Sequence, residues 1–267
     1  MFEILQYSFF QNALLAWILI SLISSVLWVF IVMRKEANVT HSIANFLFLW
    51  VAVSLFLNWN YYLFAFIFAI IWSFLIYFIE KTKFITSEST KEIISQAWIA
   101  WGIFTLWFIW NLTLDINNFL FWSILFINKN DLIILWVLLF VIYILLYFFS
   151  KNFLSIIINE DIAKSRWIKV DLYNLCFLII LSIFIALSIK MFWIMLIWAF
   201  LIIPANIAKI VSSSLKNVFI FWIIFSTLSV IIWLFTSYFL WTSSSATIVL
   251  ILIIFFIIAL INKRVRN

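Results

Sequence analysis

His41 is the only histidine in this chain, and it stands at the mouth of the apolar run SIANFLFLWVAV. A neutral imidazole ligates borderline ions such as zinc, iron or manganese. A polar group inside an apolar span faces a pathway rather than lipid. The same ring can instead cap or hydrogen-bond at the helix end, beside Arg34 and Lys35. Cysteine chemistry adds nothing, because Cys176 is alone and excludes both a disulfide framework and a thiolate cluster. It reads as a small buried apolar residue. No GxxxxGKS or GxxxxGKT string occurs, so the chain has no loop of that kind to cradle ATP phosphates. A second polar stretch, NEDIAKSRW at 159–167, has the charge order of a self-contained helix. Glu160 and Asp161 would stand in its first turn and Lys164 and Arg166 in its last, where the helix dipole favours each sign. It reads otherwise as a solvated charged loop.

The elements that must position these residues are membrane helices. The chain is 69% hydrophobic and 10% charged, and a bilayer core asks for about 20 apolar residues per helical crossing. Nine spans are predicted, at 11–33, 41–57, 61–79, 93–113, 131–149, 171–188, 191–207, 217–239 and 246–262. The fold class is all-α, a polytopic membrane protein forming a single domain over 1–267, with a cytoplasmic loop at about 151–170. Fourteen of the 16 Lys and Arg residues fall in loops on one side, and only Lys129 and Lys190 on the other. The positive-inside rule then puts the N-terminus outside and the C-terminus in the cytoplasm. The net charge of +6 is therefore a topology signal, and nucleic acid is not an expected partner. Residues 119–127 (FLFWSILFI) are too short to cross and are expected to lie at the outer interface or re-enter. The start of the chain lacks a basic leader and carries Glu3, so no cleaved signal peptide is expected.

Tryptophan and glycine are out of proportion. The chain has 17 Trp and one Gly, Gly102, where average usage would give roughly 19 Gly. Trp normally gathers in belts at the membrane interfaces, yet Trp17, Trp28, Trp72, Trp136, Trp198, Trp222 and Trp233 fall inside spans. A/T-rich coding would deplete Gly without supplying Trp. A gene that uses UGA for glycine, translated with UGA as tryptophan, would do both.

Five stretches, in order, resemble the permease subunits of ABC transporters that import zinc, manganese or iron. LQYSFFQNALLAWILISLISSVLWVFIVMRK is similar to that family's opening span, and DINNFLFWSILFINKNDLIIL to its extracytoplasmic segment. NEDIAKSRWIKVDLYN resembles its cytoplasmic loop, IWAFLIIPANIAK its Pro-containing helix, and SYFLWTSSSATIVL the start of its last span. Gly is usual in the family at Trp17, Trp28, Trp122, Trp167 and Trp198. The resemblance implies a pore of two permease copies in the cell membrane. It also implies a cytoplasmic ATP-binding subunit that carries out the hydrolysis, and an outer metal-binding protein that delivers the ion. The chain itself would be no enzyme and hold no cofactor, the metal ion being its cargo. The family's second span opens with Asp and His four residues apart on the metal path, and here those positions are His41 and Asn45. Residues at i and i+4 share a helix face, but the exchange removes a carboxylate. The family's coupling contact with the ATPase maps onto Glu160, Asp161, Ala163 and Trp167. Pro204 is expected to kink its helix, with the Asn206 amide satisfying a freed carbonyl.

The remaining polar residues carry less signal. Gln96 and Asn111 would line the path or bridge helices. Asp115 and Asp131 would meet a docking protein or simply be solvated, and Ser243 to Ser245 read as a turn. Two other functions stay open at this level, a permease for iron–siderophore or cobalamin-type chelates and a non-transporting membrane scaffold or assembly factor.

Overall fold

The computed structural model describes residues 8–33, 37–57, 61–81, 88–107, 127–191, 194–212, 214–240 and 244–266. Lipid offers no hydrogen-bonding partner, so a crossing segment must satisfy its own backbone, which an α-helix does within one segment. This sequence resists helix formation little, since Gly102 and Pro204 are its sole Gly and Pro. Among the described residues there is no strand. They form α1 (Ser8–Met33), α2 (Ala37–Phe56), α3 (Tyr61–Lys81), α4 (Glu88–Trp107), α5 (Lys129–Ile158), α6 (Glu160–Ser165), α7 (Val170–Met191), α8 (Ile194–Val211), α9 (Leu215–Leu240) and α10 (Ser244–Arg266). Each predicted span has its helix, and the chain is an all-α, multi-pass membrane protein.

The helix ends differ from the spans for a physical reason. Hydropathy marks where lipid ends, whereas a helix continues into water until something caps it. α5 has 30 residues and runs on to Ile158 past Lys151, about 45 Å of helix against a hydrocarbon core of about 30 Å. α4 begins at Glu88, ahead of the apolar run, and so takes in Glu92. Windows of 18 to 21 apolar residues lie in α1, α5, α7 and α10, and shorter apolar stretches in α2, α3, α8 and α9. The expected outer segment 119–127, apart from Ile127, lies outside the described residues, as do Asn111, Asp115, Trp122 and Ser243. Ser244 opens α10 rather than completing a turn.

The chain forms two compact units. One comprises Met1–Val29, Asn117–Leu139 and Lys190–Asn267. In it α8, α9 and α10 pack on one another, and Trp17 of α1 meets Phe200 and Trp233 ring to ring. Pro204 lies inside α8. Asn206 Nδ2 donates to its own helix at Ile202 O, 3.0 Å away, not to the carbonyl of Phe200 that Pro204 leaves without its usual donor. Part-buried hydroxyls follow the same economy, Ser212 on Ala208 O at the helix end and Thr227 on Ile223 O, the usual way Ser and Thr back-bond to a preceding turn.

The other unit comprises Phe30–Ile116 and Phe140–Ile189. Here Ser73 of α3 bonds across to α7, with Ser182 Oγ at 2.9 Å and Leu178 O at 3.1 Å. α2 packs on α3 and, most extensively, on α4. Gly102 of α4 makes that last crossing possible. A Cβ there would lie 2.8 Å from Phe48 Cδ1 and 3.3 Å from Leu49 Cα of α2, so the helices approach more closely than any side chain permits. Small residues allow helices in lipid to do this. Gly102→Val is expected to force the pair apart and destabilise the fold by about 1–3 kcal/mol, as overpacking does. An unfolding midpoint in detergent equal to that of the parent chain would mean the crossing has slack.

Candidate functional site

The α2–α4 crossing brings the candidate ligand residues together. His41 and Asn45 lie one turn apart on the same face of α2, as their spacing requires. Asn45 Nδ2 stands 3.1 Å from His41 Nε2 and donates to Ser95 Oγ of α4 at 2.6 Å. Glu92, one turn before Ser95, places Oε1 3.5 Å from the same imidazole nitrogen. Its Oε1 also accepts from Gln96 Nε2 at 2.8 Å. The pairs His41–Glu92, Asn45–Ser95 and Phe48–Gly102 advance together in number, so the two helices run parallel, with the glycine contact fixing their distance.

The cluster is graded in exposure. Glu92 and His41 side chains are 46% and 26% accessible, while Asn45 is 1% exposed and Ser95 is buried. It therefore opens at one end and closes against the crossing. Asn45 Oδ1 is buried without a hydrogen-bond partner, an exception in a protein interior that asks for an explanation. An imidazole nitrogen, a carboxylate and a free amide oxygen are all donors a borderline divalent ion accepts. Glu92 was missed in the sequence because it precedes the apolar run. Its position three residues before Ser95 and four before Gln96, on one helix face, was the available signal.

The second predicted site, 159–167, forms a capped helix. Asn159 is its N-cap, with Oδ1 accepting from Asp161 N at 2.8 Å and Ile162 N at 3.3 Å. Glu160 and Asp161 occupy the first turn of α6 and Lys164 the last, the order the dipole favours. Arg166 is the C-cap residue rather than part of the last turn. Ala163, fully buried, anchors the helix in a small cluster with Ile156 and Val170, backed by Ile168 and Tyr173. Tyr173 also accepts from Asn152 Nδ2 at 2.6 Å, tying the end of α5 to the start of α7. The helix is thus held on one side by Ala163, and its charged residues face outward.

Of the remaining predicted residues, Gln96 is exposed and bonded to Glu92 of its own helix rather than across to another. Asp131 is buried, with Oδ2 accepting from Asn128 N at 3.0 Å. It belongs to the capped start of α5 and is not a solvated loop acid, because N3 acids reach back to the N-cap amide in this way. Among the described residues, no three of His, Cys, Asp and Glu gather as a metal cluster.

With this geometry in view, the profile of the ABC 3 transport family matches residues 6–263. The chain belongs to that family. It is 28% identical over 98% of its length to the high-affinity zinc uptake system membrane protein of Haemophilus influenzae, covering 99% of that protein. It is 26% identical over 97% of its length to a manganese transport system membrane protein of Listeria monocytogenes, covering 92% of it. Among solved structures, PsaBC from Streptococcus pneumoniae in complex with Fab contains a chain that superposes with a TM-score of 0.83 at 25% identity, over 96% of this chain and 92% of that one. The matched residues include both the α2–α4 cluster and α6.

Ser95→Ala removes the shorter of the two contacts made by the buried Asn45 amide nitrogen. Such a loss costs about 1–3 kcal/mol, and it is expected to lower the unfolding midpoint in detergent. No change in midpoint would show that the 2.6 Å contact holds nothing.

Proposed function

We propose that this chain is the membrane-spanning permease subunit of an ABC importer of divalent transition metal ions, with zinc and manganese as the leading cargoes. The observation that carries the reading is the meeting of His41, Asn45 and Glu92 at the α2–α4 crossing, in a chain of a transport family whose similar members are named for zinc and manganese. His41 supplies a nitrogen ligand, Asn45 an amide oxygen, and Glu92 the carboxylate that the His41/Asn45 pair lacks. Metal enters as cargo from an extracytoplasmic metal-binding protein. Two copies of the chain form the pore, and the basic loops put the N-terminus outside and the C-terminus in the cytoplasm.

Energy comes from a separate cytoplasmic ATP-binding subunit. α6 is the part that meets it, since it lies in the most basic loop and presents Glu160, Asp161, Lys164 and Arg166 outward. Lys164, Ile168, Lys169, Val170, Asp171 and Leu172 line an open groove of about 480 Å³ beside it, where a partner's side chains can lodge.

Replacing His41 with Ala, or Glu92 with Gln, is expected to lower uptake of zinc or manganese at least tenfold with membrane abundance unchanged. A tenfold loss corresponds to about 1.4 kcal/mol, within reach of one lost ligand. Normal uptake in both variants would return His41 and Glu92 to a structural pairing. Asp161→Lys combined with Ala163→Glu is expected to release the ATPase from membranes or uncouple its hydrolysis from transport. If the ATPase still co-purifies and uptake is normal, α6 is not the coupling contact.

A further inference from the structure

Trp167 occupies a backbone position that its side chain does not suit. Its φ of 58° is the sole positive value at a non-glycine residue among those described. Trp167 N donates to Lys164 O at 3.0 Å and Ile168 N donates to Ala163 O at 3.2 Å. These are the two bonds of a Schellman ending, and Ile168 packs beside Ala163 in the hydrophobic contact that accompanies it. The residue between them must be left-handed, a conformation that glycine adopts freely and a bulky side chain does not. Nothing compensates for this, because the indole is 94% exposed.

The interior shows the opposite fault with the same residue. Trp17, Trp28, Trp72, Trp222 and Trp233 are buried at 5% exposure or less. The indole nitrogens of Trp28, Trp50, Trp72, Trp98, Trp222 and Trp233 are buried without a hydrogen-bond partner, although buried Trp ordinarily finds one. Their rings are also crowded. Trp50 lies on Phe68 with centroids 3.3 Å apart, and Trp72 on Phe46 at 4.1 Å, both shorter than the roughly 4.5–7 Å that aromatic pairs prefer. Trp17 is wedged against both Phe200 and Trp233. These positions lie where helices meet, and small residues are what such meetings favour in lipid.

One position demands glycine by its dihedral, six hold a buried donor without a partner, a seventh at Trp17 is buried between two aromatic rings, and the chain has a single glycine. We propose that the natural protein carries glycine, not tryptophan, at positions 17, 28, 50, 72, 98, 167, 222 and 233, each encoded by UGA. UGA is the codon that one genetic code reads as tryptophan and another as glycine. The proposal is independent of the transport reading. It does not extend to Trp101, Trp107 and Trp136, whose side chains are exposed and unstrained.

The test is the codon at each of the eight positions, together with peptide mass spectrometry of the protein isolated from its own host. UGA codons and glycine masses are expected at all eight. Tryptophan in the peptides spanning positions 167 and 222, or UGG at those codons, overturns the proposal. Two recoded genes, one specifying glycine and one tryptophan at the eight sites, can then be expressed in a single standard-code host. The glycine chain is expected to unfold in detergent at the higher temperature. An equal or lower midpoint would show that the crowding and the dihedral carry no strain.

Discussion

The hydrocarbon interior supplies no hydrogen bonds, so every polar group placed there must find its partner within the protein. That constraint explains why the described residues are helical and why hydroxyls such as Ser73 and Ser188 turn back to their own helices. It also explains the α2–α4 crossing. Once Asn45 and Ser95 are buried between two helices, they must meet, and they meet only if the backbones come close. Gly102 sets that distance two turns beyond Ser95 on the same face of α4. Packing and polar pairing are therefore one requirement there, and the cluster holding His41 and Glu92 inherits its geometry from it.

Much of the fold was legible because hydropathy reports the same constraint. Runs of about 20 apolar residues between charged loops located the nine long helices among the described residues. What hydropathy could not report was where helices end in water. The stop at 149, ahead of Lys151, fell short of the helix end at Ile158 because a charged residue ends lipid contact without ending a helix. The start at 93 came too late for the same reason, and it left Glu92 out of the site. Asn45 was placed through family resemblance and spacing, whereas its link to Ser95 spans 50 positions and depends on the parallel pairing of α2 with α4. No local pattern announces such a contact. The short helix at 160–165 was better signalled, because its order of charges follows the dipole. Asn159 as N-cap and the left-handed turn at 167 complete it.

In the reading proposed for this chain α6 couples a motor to the pore, and such an element has to transmit displacement without absorbing it. α6 is only six residues long, below the length at which an isolated helix is stable in water. Its rigidity must come from its ends and its single buried face. Asn159 closes one end, the Schellman bonds close the other, and Ala163 seats the middle against Ile156 and Val170. A push on the exposed face is then carried to the ends of α5 and α7, which Asn152 and Tyr173 hold together.

The incompleteness of the α2–α4 cluster fits a path better than a storage site. A pore must bind its ion firmly enough to draw it in and weakly enough to let it go. Structural sites for zinc close around the ion with four protein ligands. Here one imidazole and one carboxylate engage each other, and Asn45 stands one turn deeper on the same helix as the imidazole. In the proposed reading an arriving cation displaces the contact, and the contact reforms when the ion leaves. The graded exposure gives the exchange a direction, from the accessible Glu92 toward the closed crossing at Asn45. In the reading proposed for this chain, the protein's own polar pairs stand in for the ion between passages. The site then never leaves a charge uncompensated beside lipid.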